Sequence, residues 1–135
     1  MLQARLSILS IGLCFLLFGL TAAADVLIVT DRQHPVRAAS DVRLIELDRP
    51  MRIEAELSAG LPADPGRASE IVRQRLREGD IQDRLRKAYQ GVVEARGLGI
   101  GKIPAVVVDQ RYVVYGETDV AQAVTRIEAH RRTQP

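Results

Sequence analysis

The chain has one cysteine in 135 residues, no tryptophan, two phenylalanines, two histidines and little excess of either charge. Each scarcity excludes something. The single cysteine, Cys14, lies in the N-terminal apolar run, so residues 25–135 contain none. Those residues can form no disulfide and carry no thiol nucleophile or thiolate metal site. Lipidation at Cys14 is also disfavoured, because Leu13 stands where a small residue is required. With few aromatic side chains, stacking platforms for bases or sugars are not expected. Nineteen Lys and Arg against seventeen Asp and Glu give a net charge of +2, which does not point to nucleic acid. The histidines, His34 and His130, have no ligand-spaced partner, and no metal site is expected. Gly97-x-Gly99-x-Gly101 precedes a strand pattern rather than a helix, so it lacks the context of a nucleotide site, and no cofactor is expected.

What is present begins with an address. Arg5 is followed by the apolar run Leu6–Leu20 and by Thr21-Ala22-Ala23-Ala24. This is the pattern of a secretory signal peptide, residues 1–24, cleaved near Ala24. The rival reading, an uncleaved anchor, needs about 20 apolar residues, and the run is short for that. The expected location is the periplasm, with the membrane involved only through the export signal. Residues 25–135 are enough for one domain and short for two.

Along that domain, Val26–Thr30 is an apolar, β-branched run that predicts a strand buried on both faces. Asp31–His34 is turn-like, and Pro35 disfavours helix at His34. Val42–Leu47 predicts a second strand. Asp48 with Pro50, Asp64 with Pro65, and Asp80 predict three helix starts. The third helix should bury a stripe of Ile81, Leu85, Ala88, Tyr89, Val92 and Val93. Ala105–Val108, a turn at Asp109–Arg111, and Tyr112–Tyr115 predict an antiparallel hairpin whose turn lacks the usual glycine. A last helix follows, capped by Thr118 or Asp119, with Val120, Val124 and Ile127 facing inward. The order is β-β-α-α-α-β-β-α, an α/β sandwich with a central mixed sheet of about four strands and helices on both faces.

The segment Gly99–Gly116 is the most specific part of the chain. A proline just ahead of an apolar strand, as in Ile103-Pro104, is where thioredoxin-like folds hold a cis-proline beside their site. The alternative is a trans proline that merely starts a strand. In such a fold the loop after the first strand, Thr30–His34, would lie close by. Asp31 and His34 could then form an acid–base pair, or Asp31 could simply cap local backbone amides. Compared with a thioredoxin, the chain lacks the long helix between the first two strands.

The segments DRQHPV, IELDRPMRIEAELSAGLPADP, AYQGVVEARGLGIGKIPAVVVDQRYVVYG and DVAQAVTRIEAHR together resemble a family of integrating conjugative element proteins of unknown function, encoded among mating-pair-formation genes. The resemblance runs from Val26 to Arg132. It implies an exported, thioredoxin-like domain without established catalytic residues, and protein partners in the cell envelope belonging to a conjugative type IV secretion apparatus. The expected role is non-redox binding of an extended partner segment, at the groove beside Pro104 or on the edge strand Tyr112–Tyr115, with Ile103, Pro104, Tyr112, Tyr115, Asp31 and His34 as the candidate binding residues. A hydrolase or isomerase using Asp31 and His34, or a periplasmic chaperone for a pilin or secreted substrate, are the alternatives. The residues point to a binding protein rather than an enzyme.

Overall fold

The computed structural model describes residues 24–39 and 42–134. The expected signal peptide lies outside the described residues apart from Ala24. Four strands and four helices follow one another as β1 (Val26–Thr30), β2 (Arg43–Glu46), α1 (Arg49–Ser58), α2 (Pro65–Glu78), α3 (Ile81–Gly97), β3 (Ala105–Val108), β4 (Tyr112–Tyr115) and α4 (Val120–Thr133).

The strands form one mixed sheet in the order β2-β1-β3-β4. β2 runs parallel to β1, and β3 runs antiparallel to both β1 and β4. The two central strands are the apolar runs, and all of Leu27–Val29 and Ala105–Val108 is buried. Alternation sends Leu27, Val29, Ile45, Ala105 and Val107 to one face, where Ala95 of α3 meets them. Ile28 and Val106 go to the other face, under Val120 and Ala123 of α4. Each such Val or Ile, fully buried, contributes roughly 1.5–3 kcal/mol of transfer free energy. A smaller cluster of Ile53, Ile81 and Ala88 joins α1 to α3.

The parallel β1–β2 connection carries no helix. Val36 and Val42 instead pack against the α4-side core. The Arg37 N–H donates to the Thr118 carbonyl (2.7 Å), and the Val120 N–H donates to the Arg37 carbonyl (3.1 Å). The loop thereby replaces part of the cover that a crossover helix gives such a connection.

Two helix starts use the expected caps. Asp64 Oδ1 accepts from the Arg67 N–H (2.8 Å), and Asp119 accepts from the Gln122 N–H (3.2 Å). Asp48 and Asp80 do not cap with their side chains. Their backbones, at ψ −3° and 6°, lack the extended conformation of Asp64 and Asp119 (120° and 108°) that brings a carboxylate over the first amides, and the carboxylates lie instead near Arg52 (3.2 Å) and Arg84 (3.4 Å) one turn on. The α3 stripe is narrower than its periodicity predicts: Tyr89 and Val93 are 50% and 70% exposed. The helix approaches the sheet through small residues instead. A Cβ on Gly91 would stand 3.3 Å from Ile45 Cγ2, so α3 lies close against β2 there and the larger side chains turn outward.

The hairpin turn works without glycine because Asp109 and Gln110 both adopt left-handed φ angles, 52° and 53°. Asp is among the non-glycine residues that tolerate this region best. Asp109 is further held by Arg131 (3.0 Å) and by the Asp25 N–H (3.1 Å).

Candidate functional site

Strand directions decide which of the expected residues meet. Val29 pairs with Ala105, and Ala105 with Tyr115. Extending that register sets the end of β1 across from Pro104. The Asp31–His34 turn, Ile103-Pro104 and Tyr115 therefore share one end of the sheet. The Gly116 N–H donates to the Pro104 carbonyl (2.9 Å), which ties the end of β4 to the same place.

The Ile103–Pro104 peptide is cis, the first of the two isomers left open by the sequence. Pro104 is buried. The Ile103 side chain packs against the core cluster on the α3 face. Its main-chain N–H and C=O have no hydrogen-bond partner among the described residues. An anchored side chain with an open main chain is a fixed point to which a second backbone can add two hydrogen bonds.

Asp31 and His34 are in contact, with His34 Nδ1 2.6 Å from Asp31 Oδ1. An ionised carboxylate only accepts, so the ring carries its proton on Nδ1 in this contact. The same Oδ1 accepts the N–H groups of Gln33 and His34, each at 2.9 Å. The hydrogen bond from the His34 ring, reinforced by these backbone amides, holds the Asp31 carboxyl below the ordinary carboxylate range; partial desolvation opposes the shift. Thr30, only 3% exposed, donates its hydroxyl to the His34 carbonyl (2.5 Å) and pins the far end of the turn. Asp31 thus acts as the turn's internal cap, with one oxygen fully engaged.

Tyr112 does not join this group. It pairs with Val108 at the other end of β4, and an offset of three along a strand points it to the opposite face from Tyr115. Its ring lies under the Arg111 and Arg131 guanidiniums, 5.5 and 5.4 Å from the ring centre, and edge-on to His130 at 6.4 Å. Tyr115 is 44% exposed. Of the six expected binding residues, five gather at one end of the sheet and Tyr112 packs against α4.

Four clefts of 250–580 Å³ among the described residues have none of Asp31, His34 and Pro104 in their linings. Two of these clefts adjoin β2 and share Glu46 and Arg49. The charge pattern of the sequence does not point to them, because spacing along the chain does not show which charges of β2, α1 and α3 meet. The signal that could have found them is Leu44, an apolar residue that follows Arg43 and shares its strand face with the charged Glu46.

Among the described residues no group of three or more His, Cys, Asp or Glu could hold a metal ion. No helix among them is long and apolar enough to cross a membrane.

The chain matches the family described as protein of unknown function (DUF1525) over residues 23–133. No curated protein and no solved structure matches it. Residues 23–133 span nearly all of the described fold, and the chain belongs to the DUF1525 family of proteins of unknown function.

Proposed function

We propose that this is an exported, thioredoxin-like binding protein without redox chemistry, an accessory component of a conjugative type IV secretion apparatus. The observation that carries the binding part is Ile103: its side chain is fixed in the core while its main-chain donor and acceptor stand open beside the Asp31–His34 turn and Tyr115. An extended partner segment laid along this end of the sheet would pair with that backbone. The sheet order, with β1 parallel to β2 and antiparallel to β3, and the proline leading β3 support the thioredoxin-like reading. Residues 25–135 lack cysteine, which supports binding over redox catalysis. The export reading is supported by the apolar N-terminal run and the small residues Thr21–Ala24 that follow it. The conjugative setting rests on the sequence resemblance.

One observation favours a second reading. The Asp31–His34 contact is that of an acid–base pair, as a hydrolase or isomerase would use. The three donors on Asp31 Oδ1 weigh against it, because the carboxylate already serves the turn.

The test is photo-crosslinking in donor cells that are transferring DNA, with the crosslinker at Lys102 or Tyr115 and, as control, at the exposed Arg73 of α2. The expected product joins Lys102 and Tyr115 to one cell-envelope protein and leaves Arg73 unlinked. Equal yields from all three positions, or fractionation of the protein with the cytoplasm, would overturn the reading. Substituting His34→Ala should leave the crosslink in place; its loss together with a detectable hydrolytic activity would favour the second reading.

A further inference from the structure

The outer edge of β2 carries unspent main-chain hydrogen bonding. The Leu47 N–H donates to the Thr30 carbonyl (2.8 Å). In a parallel ladder alternate residues face the same neighbour, so Ile45 and Arg43 also turn their main chain toward β1. Leu44 and Glu46 then direct N–H and C=O away from the sheet, where no further strand lies among the described residues. Beside this edge is a cleft of about 330 Å³ lined by all of β2 and by Lys87, Gly91 and Glu94 of α3. Leu44 is half exposed and offers an apolar contact on the same edge.

The charges around that edge are unequal in a specific way. Both carboxylates of the cleft are taken. Glu94 accepts two bonds from Arg43 (2.8 Å each), and Glu46 lies 2.8 Å from Arg52. The cations are not all taken. Arg49 reaches only Glu46, at 3.9 Å, and Lys87 has no ion-pair partner among the described residues. The neighbouring cleft, about 580 Å³, adds Arg32, also unpaired among the described residues, while its Glu56 is clamped by Arg84 (2.9 and 2.5 Å). Three under-compensated cations therefore flank a free strand edge, with no under-compensated carboxylate beside them. A second copy of the chain docked edge to edge would bring like cations together, which is how such edges resist self-pairing.

We propose that the outer edge of β2 takes up an extended acidic segment of a partner protein by strand addition. The segment's main chain pairs with Leu44 and Glu46, an apolar side chain covers Leu44, and its carboxylates meet Lys87, Arg49 and Arg32. This edge lies across the sheet from β4 and is independent of the binding role proposed for Ile103.

The test uses the purified protein and a fluorescein-labelled octapeptide of alternating Glu and Val, read by anisotropy at low salt. A Lys–Val peptide is the control for sign, and the Glu–Val peptide with N-methylated alternate amides is the control for main-chain pairing. The expected result is binding of the Glu–Val peptide at least about tenfold tighter than either control, weakening with salt. The Arg49→Glu/Lys87→Glu double variant should reverse the preference, and Leu44→Pro should abolish binding by removing the outward N–H. Arg73→Glu, which changes charge at a distance on α2, should leave binding within about twofold. Equal affinity for both peptide signs, an unchanged preference in the double variant, or full binding of the N-methylated peptide would each overturn the proposal. So would sedimentation showing a dimer that the Glu–Val peptide does not compete away. If Leu44→Pro does not fold, the N-methylated peptide alone decides the main-chain contact.

Discussion

At the β4 edge of the sheet, Arg131 bonds both Asp109 and Glu128 at 3.0 Å and also lies 5.4 Å over the Tyr112 ring. At the β2 edge, Arg49 reaches a carboxylate only at 3.9 Å and Lys87 reaches none among the described residues. Both edges are four-residue strands with nothing paired beyond them among the described residues. Open main chain alone therefore does not distinguish a docking edge from a finished one. The difference lies in the flanking charges. Around β4 they are spent on each other and on a tyrosine, which closes that side against α4. Around β2 the carboxylates are spent and some cations are left over.

The packing beneath the two edges differs as well, and this gives the largest expected effect. Ile45 is buried where α3 comes closest, opposite Gly91, whereas Val114 on β4 is only half-buried. Ile45→Ala should cost about 2–4 kcal/mol, transfer and cavity together. Val114→Ala should cost about 1 kcal/mol. Urea denaturation of both variants measures the gap; equal costs would mean that the two edges are anchored alike and would remove the structural half of the comparison.

The tyrosines come next. Tyr112→Ala removes contacts to two guanidiniums and to the His130 edge, and should destabilise by about 1–2 kcal/mol. Tyr115→Ala, on the opposite face and exposed, should stay within about 0.5 kcal/mol. The same denaturation series reads both. A costly Tyr115 with a neutral Tyr112 would reverse the assignment of which tyrosine holds the fold and which is free for a partner.

Much of this architecture was legible beforehand, for a definite reason. The runs Val26–Thr30 and Ala105–Val108 are β-branched and apolar throughout, and only a strand covered on both faces accommodates them. Helix starts marked by Asp followed by Pro were also readable. Which Asp actually caps was not: Asp64 has the extended backbone that a cap requires and Asp48 does not, and residue spacing alone does not reveal that backbone angle. The rotation of α3 was hidden too, since hydrophobic periodicity weighs Tyr89 and Val93 as core and gives no weight to Gly91. At the candidate site, the gathering of Asp31, His34, Pro104 and Tyr115 follows from strand order. The separation of Tyr112 from Tyr115 follows from simple alternation, whereas the surplus of cations beside β2 depends on side-chain partners set by tertiary packing.

The hairpin that builds the β4 edge carries a smaller, opposite effect. Gln110 has φ 53°, a left-handed conformation that costs an ordinary side chain energy and glycine almost none. Replacing Gln110 by glycine should raise stability by about 0.5–1 kcal/mol, and the turn would then carry the Asp-Gly dipeptide that such hairpins favour. An increase in the thermal midpoint checks this. A decrease would mean that the Gln110 side chain makes a contribution larger than the backbone relief, and that the β4 edge is held at its tip as well as by α4.

The smallest effect concerns the turn between the two edges. The Asp31 carboxyl is held below its ordinary range chiefly by the hydrogen bond from the His34 ring. A group whose folded pKa is depressed contributes stability that is present above its unfolded pKa and lost as pH falls through its folded pKa. Stability should therefore decline as pH drops below about 4, in part through this residue. Asp31→Asn keeps an oxygen that can accept the Gln33 and His34 amides but removes the charge, so its stability should be lower than wild type at pH 6 and converge with it in acid. The exposed setting keeps the difference small. Denaturation midpoints of the two proteins from about pH 6 down to about pH 2.5 measure it. Curves that stay parallel over that range would show that the His34 contact adds nothing beyond the backbone cap, and would leave the turn as a neutral spacer between a closed edge and an open one.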